Sequence, residues 1–526
     1  MARSVRPLIL ALLVLGGCTS TPGGKGEAAC ARAEIPYDGI DNDCDAATPD
    51  DDLDGDGSPL VDDCDDEDPA AVTPSAVDVW DDVVLEDAAS VADFCGTCET
   101  VRLHADLAIT GVADLSGLSC LSSVSGNLDI NGNDDLTDLS GLDSLSSVGG
   151  GLWIRDAARL TSLSGLDSLT SVDALMVSGV DSLPDLSGLD ALTSVGLGVV
   201  LRDSAGLTSL SGLGSVTTLG GGFEIYGMDG LASLSGLGAL TDVGGHLWIG
   251  TCDDENWEGN DGLTSLSGLD ALTDVGSLVV CANPSLTSLS GLDALTAVNG
   301  SLSIVENASL ANVSALAGLT TIGGDLSVEH NDSLGSLSGL AALSYVAGDV
   351  ELIANPALID LGLDSLSSVG GVLWISGPGL TSLSGLESLG SVGDSLHVED
   401  NDALERLSGL DSLVSVGGFL IVRGNAALVE VAGFESLASV SRDFEISSNY
   451  SLTSVSGLDA LASVGGSFGI SNNVELADVA GFEALDYVQD DVVIAGNTKL
   501  PTATAEALAG DIDHIGGETI ISDNAP

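Results

Sequence analysis

The sequence predicts an all-β protein, a parallel β-solenoid with about 24 residues in each coil. The first observation is a repeated phrase, of which residues 396–419, LHVEDNDALERLSGLDSLVSVGGF, are a clean copy. A fixed period this short is typical of a solenoid. Within the phrase Leu396 and Val398 alternate with polar residues, as in a strand. Helical propensity is low, because Gly, Ser, Val and Asp crowd every coil.

The phrase also predicts how each coil turns and fills its core. About seven apolar residues per coil point inward, and tight corners such as Ser408-Gly409 separate the short extended pieces. An asparagine recurs where the chain must turn, and we expect it to take the left-handed corner conformation and to form a ladder from coil to coil. This position is occupied by Asn133, Asn283, Asn307, Asn331, Asn355, Asn401, Asn425, Asn449, Asn473 and Asn497.

The count of strand starts predicts about eighteen coils and, at nearly 5 Å per coil, a rod on the order of 80 Å long. Residues 251–262, TCDDENWEGNDG, form the largest insertion, which we expect to project as a loop. A short helix is predicted over 501–509, and the last strand over 518–524.

The N-terminus predicts export and lipidation. Arg3 and Arg6 precede an apolar run that is too short to span a bilayer, as in a secretory signal over residues 1–17. The following Leu-Gly-Gly-Cys18 resembles a bacterial lipobox, which implies a lipid on Cys18, a flexible tether over 18–34 and a place in the bacterial envelope, on the outward side of the outer membrane. The alternative is an ordinary secretory signal with an incidental cysteine.

Residues 35–79 are strongly acidic and predict a calcium-binding segment. Counting from Asp52 as the first ligand, Asp54 is third, Asp56 fifth and Asp63 twelfth, with a glycine sixth, which is the register of an EF-hand loop. A bound cation would relieve the repulsion between these carboxylates, about 1 kcal/mol per close pair in water. The alternative is a solvated acidic linker.

The runs DGIDNDCD, DLDGDG and DCDDEDP resemble the metal-binding motif of bacterial surface proteins and thrombospondin type 3 calcium loops. The expected metal ligands are Asp41, Asp43, Asp52, Asp54, Asp56, Asp63, Asp65, Asp66 and Asp68.

Cysteine usage fits an oxidising compartment, because eight cysteines remain beside Cys18. We expect Cys44 to pair with Cys64 around the acidic loop, and either Cys95 or Cys98 to reach Cys120. We expect a disulfide between Cys252 and Cys281, which lie in neighbouring coils, to tether the large insertion. The alternative for the Cys-Gly-Thr-Cys motif is a zinc site, which no second motif supports.

Residues 80–100 predict a cap, in which Asp87 begins a short helix that presents Val91 and Phe94 to the first coil. From Cys98 onward, CETVRLHADLAI and the later V-x-G-x-L-x-I joints resemble the receptor L-domain, a right-handed, leucine-rich β-helical module that also occurs in bacterial surface proteins. The resemblance implies a right-handed solenoid over 101–526.

One outward face predicts a binding surface. The residues between the two inward positions of successive strands include several large apolar side chains, and exposed apolar neighbours suggest a contact surface. The alternative is that each tryptophan lies flat over adjacent side chains. The candidates are Trp153, Met176, Val200, Trp248 and Trp374, together with Trp257 in the insertion.

A second column of acids follows the Gly-Leu corner. We favour turn capping by these carboxylates over a ladder of weak cation sites, although the two are compatible. The column contains Asp143, Asp167, Asp190, Asp270, Asp293, Asp364, Glu387, Asp411, Glu435, Asp459 and Glu483.

The net charge of −68, with only 12 Lys and Arg, disfavours nucleic acid and anionic lipid as partners. A β-helical polysaccharide lyase needs a base near its calcium cluster, and the five histidines are scattered. We therefore predict a non-enzymatic surface lipoprotein for recognition or adhesion, with a protein or glycan ligand. The alternative is a structural envelope spacer without a specific ligand.

Overall fold

The computed structural model describes residues 76–96, 98–253 and 256–526. It confirms an all-β parallel solenoid of about 18 coils with about 24 residues per coil. The chain forms two compact units: unit 1 contains residues up to Ser182 together with Ser187–Leu192 and Asp253–Trp257, and unit 2 contains Leu183–Leu186, Thr193–Cys252 and Glu258–Pro526.

The strands up to Ser178 belong to unit 1, which also contains helix α1, Ala88–Asp93. They are β1 Ala76–Val79, β2 Val83–Leu85, β3 Thr100–Leu103, β4 Leu107–Thr110, β5 Leu121–Val124, β6 Leu128–Asn131, β7 Ser147–Val148, β8 Gly151–Arg155 and β9 Ser171–Ser178.

The strands from Ser194 onward repeat a long strand and a short strand in most coils, and helix α2, Thr502–Asp511, lies near the end. They are β10 Ser194–Arg202, β11 Thr218–Leu219, β12 Phe223–Tyr226, β13 Asp242–Ile249, β14 Thr251–Asp253, β15 Asn256–Glu258, β16 Asp274–Cys281, β17 Ala297–Val298, β18 Leu302–Val305, β19 Thr321–Ile322, β20 Leu326–Glu329, β21 Tyr345–Val346, β22 Val350–Ile353, β23 Ser368–Val369, β24 Leu373–Ser376, β25 Ser391–Val392, β26 Leu396–Glu399, β27 Arg406–Leu407, β28 Ser415–Val416, β29 Leu420–Arg423, β30 Glu430–Val431, β31 Ser439–Val440, β32 Phe444–Ser447, β33 Ser454–Val455, β34 Ser463–Val464, β35 Phe468–Ser471, β36 Asp478–Val479, β37 Tyr487–Val488, β38 Val492–Ala495, β39 His514–Ile515 and β40 Thr519–Ser522.

Apart from β14 and β15, which pair with each other, the strands pair in parallel with the equivalent strands of neighbouring coils. In unit 2, Leu302 lies opposite Leu326 and Leu326 opposite Val350, so the register advances by one coil at each pairing. The short strands form a second ladder, and β27, β30, β33 and β36 form a third in the later coils. Because side chains alternate along a strand, this register places like residues above one another on each face.

The inward side of each coil is filled with apolar side chains, as predicted. In the coil that begins at Leu396 the inward residues are fully buried: Leu396, Val398, Leu404, Leu407, Leu410, Leu413 and Val416. In later coils phenylalanines join the core, where Phe444 stacks on Phe468 with ring centroids 5.1 Å apart and Phe482 meets Phe468 edge-on at 5.2 Å. Burial of this kind contributes about 25 cal/mol per Å² of apolar surface.

The recurring asparagines form the predicted ladder, which we call the Asn column. In unit 2, Nδ2 of Asn449 donates to the carbonyl of Val422 in the preceding coil at 3.0 Å, and its backbone N donates to Oδ1 of Asn473 at 3.0 Å. Asn260 belongs to the column as well and was missed, because an insertion disturbs its spacing. The column members are almost completely buried: Asn133, Asn260, Asn283, Asn307, Asn331, Asn355, Asn401, Asn425, Asn449, Asn473 and Asn497.

The predicted conformation of these asparagines was wrong. The left-handed backbone falls on the residue immediately before the column, for example Glu306 at φ 57° and Ala354 at φ 53°. That corner turns the following asparagine into the core, where its amide bonds carbonyls that the turn would otherwise leave unpaired. The side chain is therefore selected for its two donors and its acceptor rather than for a tolerant backbone.

The solenoid begins earlier than predicted. Residues 76–79 pair with β3 and residues 83–85 pair with β4, so the segments assigned to 35–79 and 80–100 already contain the strands of a first coil. These strands are too short to show a clear alternation, and this hid them in the sequence. The predicted capping residue is confirmed, since Asp87 accepts hydrogen bonds from the amides of Ala89 and Ser90 at the start of α1.

Both ends of the chain's described part carry the predicted short helix. Val91 of α1 is buried, and Phe94 packs against the small cluster of Val77, Val101 and Cys120. Near the C-terminus, α2 precedes the last strand, as expected. Within the described ranges, neither helix has the length and apolarity that crossing a bilayer requires.

Candidate ligand-binding face

The candidate site lies on the outward side of the long strands. We call the central outward residue of each long strand the outward column: in the strand Leu373–Ser376 it is Trp374, between buried Leu373 and Ile375. Its neighbours above and below are the equivalent residues of the adjacent coils, so each side chain contacts two others at strand spacing. Unlike the inward positions, these positions vary in chemistry from coil to coil.

In unit 1, Trp153 lies between Asp129 and Met176 in this column. Arg155, two residues further along the same strand, pairs with Asp129 through Nη2 and Oδ2 at 2.5 Å, and its Nε donates to Oδ1 at 3.3 Å. The guanidinium also lies over the indole, 5.6 Å from the ring centroid. Acid, indole and cation thus form one contact group.

In unit 2, Trp248 follows Val200 and Glu224 in the column and precedes Val279. His246, two residues before Trp248, places Nε2 2.8 Å from Oε1 of Glu224 and tilts over the indole at a centroid distance of 4.4 Å. The group repeats the arrangement of acid, indole and basic side chain, with an imidazole in place of the guanidinium.

Trp374 occupies the same position in another coil of unit 2, between Glu351 and His397. Its ring centroid is 5.7 Å from that of His397. The indole Nε1 is buried and makes no hydrogen bond, which costs about 1–3 kcal/mol. All three strand tryptophans are only partly exposed, so they lie against their neighbours while one surface remains accessible.

His397, which lies opposite Trp374, contacts a fully paired acid. Glu399 is 6% exposed, its Oε1 lies 2.9 Å from Nδ1 of His397, and its Oε2 accepts from Nη2 of Arg423 at 2.7 Å. The hydrogen bond from His397 and the charge of Arg423 hold the pKa of Glu399 below its ordinary value. This carboxylate is therefore a stabilised anion.

On the other side of Trp374 the acids have no such partners. Burial raises the pKa of Glu351, and the negative charges of Glu329, Asp349 and Asp325 raise it further. In the part of the chain that the structure describes, no ion pair includes Glu351 or Glu329. The face thus carries a locally uncompensated negative charge beside an aromatic ring.

The large insertion forms a β-hairpin of strands β14 and β15. Its base is closed by the amide of Glu258, which donates to Oγ1 of Thr251 at 3.3 Å. Cys252 forms a disulfide with Cys281, with a Cα–Cα distance of 6.0 Å. Trp257 is 55% exposed, the most open of the predicted ligand-face residues.

The first coils contain a second disulfide, between Cys95 and Cys120, with a Cα–Cα distance of 5.8 Å. Cys98 is disulfide-bonded as well. These bonds consume the thiolates that a zinc site at residues 95–98 would need.

Six members of the acidic column after the Gly-Leu corner cap turns. The amide of Gly141 donates to Asp143 at 2.9 Å, that of Gly165 to Asp167 at 3.1 Å, and Glu387 makes the same contact with Gly385 at 2.8 Å. Across residues 76–96, 98–253 and 256–526, no group of three or more His, Cys, Asp or Glu side chains is placed to hold a metal ion. The turn-capping contact is thus present for Asp143, Asp167, Asp190, Asp270, Asp293 and Glu387.

The structure also assembles a constellation that the sequence did not reveal. His104 in unit 1 lies 3.3 Å through Nδ1 from Oγ of Ser125 and 2.9 Å through Nε2 from Oδ1 of Asp78, and Trp80 stacks on it at 4.1 Å. The only signal was the 21- to 26-residue spacing, which is readable once β1 is known to be a strand.

This Ser-His-Asp contact lacks the donors that acyl transfer requires. The amide of Ser125 donates to the carbonyl of Leu103 at 2.7 Å, and that of Gly126 donates to Ala105 at 3.2 Å. Both amides beside the hydroxyl are thus engaged in the β-ladder and do not form an oxyanion hole.

The remaining predicted site residues lie outside the described residues. They are the lipidation candidate Cys18, the disulfide candidates Cys44 and Cys64, and the metal-ligand candidates Asp41, Asp43, Asp52, Asp54, Asp56, Asp63, Asp65, Asp66 and Asp68.

Comparison with known proteins gives a fold likeness and no family. No family model matches the chain, and no curated protein matches it. Among solved structures, the crystal structure of the TLR13-ssRNA13 complex is similar at 14% identity and a TM-score of 0.17, over 84% of this chain and 80% of that chain. A leucine-rich repeat protein from Bacteroides ovatus ATCC 8483 is similar at 12% identity and a TM-score of 0.18, over 76% and 95%. At these scores neither likeness carries a functional argument, and the coil geometry alone establishes a leucine-rich solenoid.

Proposed function

We propose that the protein is a non-enzymatic recognition or adhesion lipoprotein of the bacterial cell surface, whose solenoid displays an outward face to a protein or glycan ligand. The observation that carries this proposal is the contrast between the two sides of the same strands. Inward residues repeat from coil to coil, whereas the outward column changes among Trp, Met, Val, Glu, Ser and His. A surface that only separates two points has no need of such variation.

The arrangement of the three strand tryptophans supports recognition over simple packing. Each keeps a partly exposed ring and lies opposite an acid of the preceding coil in the strand register. Rigid aromatic side chains with polar neighbours are typical of protein interfaces, because they supply contact area at low entropic cost.

The proposal is tested with intact cells that display the full-length chain. The triple variant Trp153→Ser, Trp248→Ser and Trp374→Ser should reduce adhesion to neighbouring cells or to host-surface proteins and glycans. The matched control is Val493→Ser with Ile520→Ser, which removes outward apolar side chains from other coils. Equal adhesion by the triple variant and the control would contradict the proposal.

The second candidate, a structural envelope spacer, is favoured by the regular run of coils from 396 to 495, where the register advances without an insertion. A spacer and a recognition protein are distinguished by shortening the solenoid. Deletion of residues 420–467, which are two coils, should impair a spacer while leaving the tryptophan-dependent adhesion of a recognition protein intact.

Membrane attachment through Cys18 is part of the proposal. It rests on the lipobox-like sequence, which implies a lipid on Cys18, since acyl chains buried in a bilayer contribute to membrane affinity. In a two-phase detergent extraction, the full-length protein should partition into the detergent phase. The Cys18→Ser variant should partition into the aqueous phase. Aqueous partitioning of both forms would contradict the anchor.

Calcium binding by the acidic segment is proposed on its EF-hand-like spacing. Calorimetric titration of the full-length chain with calcium should release heat at a defined stoichiometry. The triple variant Asp52→Asn, Asp54→Asn and Asp56→Asn should lose that heat, whereas Asp143→Asn, which removes a turn-capping carboxylate, should retain it. Identical titrations of all three proteins would contradict the assignment.

A further inference from the structure

The three strand tryptophans share a contact group that is complete in two coils and incomplete in the third. Each indole lies directly opposite an acid of the preceding coil: Trp153 opposite Asp129, and Trp248 opposite Glu224. In both groups a basic side chain of the same strand touches acid and indole together. By comparison with these two groups, a basic side chain is expected beside the third tryptophan, Trp374, which lies opposite Glu351.

The third group has no basic residue at either equivalent position. The residue two places after Trp374 is Ser376, where the first group has Arg155, and the residue two places before it is Val372, where the second group has His246. A serine side chain is too short to span from its strand to the preceding carboxylate. The imidazole of His397, which lies in the next coil, is directed to Glu399 through Nδ1 at 2.9 Å.

From this internal comparison, the geometry points to an external arginine as the missing member: Glu351 and Trp374 bind the guanidinium of an arginine side chain on a partner polypeptide. The proposal rests on the proposed recognition function and names the class of its partner.

The first group shows how the guanidinium fits. Arg155 places Nε and Nη2 on the two carboxylate oxygens of Asp129, at 3.3 and 2.5 Å, while its Cζ lies 5.6 Å from the indole centroid. A planar guanidinium can bind a carboxylate through two donors and stack on an aromatic ring at the same time, which an ammonium cannot do. The internal precedent therefore selects arginine over lysine.

The electrostatics of the third group are consistent with a cationic occupant. Glu351 lies among Glu329, Asp349 and Asp325, whose charges disfavour its ionisation. The whole chain carries a net charge of −68, which attracts a basic polypeptide and repels an acidic one. A cation that binds here relieves repulsion already present in the free protein.

The test uses the full-length protein and the peptide acetyl-Gly-Arg-Gly-amide at 150 mM salt, which screens general attraction to the acidic chain. Saturation-transfer NMR of the peptide should show the arginine side chain in contact with the protein. The variants Glu351→Gln and Trp374→Leu should each weaken binding by about tenfold, the factor that corresponds to losing a carboxylate pair or a cation–π contact.

Two variants reverse the difference between the groups: one adds an arginine beside Trp374, and the other removes the arginine beside Trp153. Ser376→Arg supplies an internal guanidinium and should abolish peptide binding at Trp374, whereas Arg155→Ser should open a second site at Trp153 and raise the stoichiometry from one to two. Circular dichroism confirms that each variant is folded. Val493→Ser, which removes an outward apolar side chain from another coil, serves as the matched control and should bind the peptide like the unchanged protein.

Several results would overturn the inference. Unchanged binding to the Ser376→Arg variant would show diffuse attraction to the acidic surface. Equal affinity for acetyl-Gly-Lys-Gly-amide would exclude a guanidinium-specific site, and binding of a neutral oligosaccharide at Trp374 without binding of the arginine peptide would identify a glycan face instead. If the peptide fails to bind while the triple tryptophan variant still loses adhesion, this inference fails and the proposed function stands; the opposite pair of results removes the proposed function and retains the site.

Discussion

The Asn column and the outward column lie on the same coils and obey opposite rules. The first repeats one residue through most of unit 2, with each asparagine almost fully buried and hydrogen-bonded to its neighbours. The second changes residue at nearly every step. The difference teaches that burial restricts which residue is allowed where a turn must pair its backbone groups away from water. Where solvent can pair those groups, many residues are allowed.

The comparison extends to charge. Inside the turn, the neutral amides bond to backbone carbonyls and to one another, so no charge needs to be compensated. On the outward face, acids occur with a partner, as at Glu399, or without one, as at Glu351. Of these two columns, the outward column is therefore the one whose charges can determine binding specificity. The Asn column is the one in which removal of a single member is expected to weaken the neighbouring hydrogen bonds as well.

The largest effect should come from removing one asparagine. In Asn449→Leu the amide of Asn425, which donates to Oδ1 of Asn449 at 3.0 Å, loses its acceptor, and the carbonyl of Val422 loses its donor. Two or more buried polar groups left unpaired should lower the free energy of unfolding by about 3 kcal/mol or more. Urea denaturation followed by circular dichroism measures the loss, and hydrogen exchange should show it concentrated in the adjoining coils.

The control for this variant is an asparagine one residue outside the column. Asn472 is exposed and has φ 57°, a conformation that glycine adopts freely. Asn472→Gly should therefore leave the stability nearly unchanged. If Asn449→Leu were no more destabilising than this control, the column would be a passive feature of the turn.

The next effect distinguishes Glu399 from Glu351, because ionisation of the two acids changes the stability of the fold in opposite directions. Glu399 has a lowered pKa, so its ionisation stabilises the fold above the ordinary value of 4.5 and this contribution is lost as the pH falls through the folded-state pKa. Glu351 has a raised pKa, so the folded state retains its proton longer, and stability falls as the pH rises from 4.5 through the folded-state pKa.

Substitution by glutamine should reveal this opposition at pH 7. Glu399→Gln should lower the free energy of unfolding by about 1–2 kcal/mol, because a charge-assisted hydrogen bond is lost, whereas Glu351→Gln should raise the melting temperature. The Glu351→Gln difference should shrink as the pH is lowered toward 4.5, because the native carboxyl takes up its proton above that value. The Glu399→Gln difference should persist to pH values below 4.5, because the pKa of Glu399 is lowered. Thermal unfolding across this range is the measurement, and shifts of the same sign would contradict the assignment.

A smaller gain should follow from completing the Asn column. Gly377 occupies a column position, where its amide donates to Oδ1 of Asn401 at 2.9 Å, and a small cavity borders it among Leu352, Leu358 and Ile375. A Cβ built on Gly377 would meet only the carbonyl of Asn355, at 3.8 Å. Gly377→Asn should therefore stabilise the fold by about 1 kcal/mol through one added buried hydrogen bond. Gly377→Leu is the control, since it fills space without supplying a donor and should gain less.

Most of the coil could be predicted from the sequence, because the inward residues recur at fixed spacing and burial leaves them few alternatives. The alternation around Leu396 and Val398 gave the long strand, and the asparagine spacing gave the ladder. Contacts between coils were harder to predict, since the distance between partners varies with coil length: Glu224 and Trp248 are 24 residues apart, whereas Trp248 and its next partner Val279 are separated by the hairpin.

The missed features share this cause. Asp78 was not placed beside His104, because a four-residue strand is too short to give a periodic signal. The acid that faces each tryptophan was likewise not noticed, although Asp129 and Trp153 are one coil apart. Partner identity on an open face is not constrained by burial, so only an explicit coil-by-coil register could have found these groups.

The smallest effect tests the comparison on two adjacent residues of one strand. Val493 points outward and is partly exposed, whereas Val492 points inward and is fully buried. Val493→Thr should change the free energy of unfolding by less than about 0.5 kcal/mol, because water can satisfy the new hydroxyl. Val492→Thr introduces the same atoms among apolar neighbours and should cost about 1–3 kcal/mol. Chemical denaturation of both variants under one set of conditions measures the pair. Equal losses would mean that the outward face is as tightly constrained as the core, and its variation would then have to arise from packing between neighbouring coils rather than from freedom to bind.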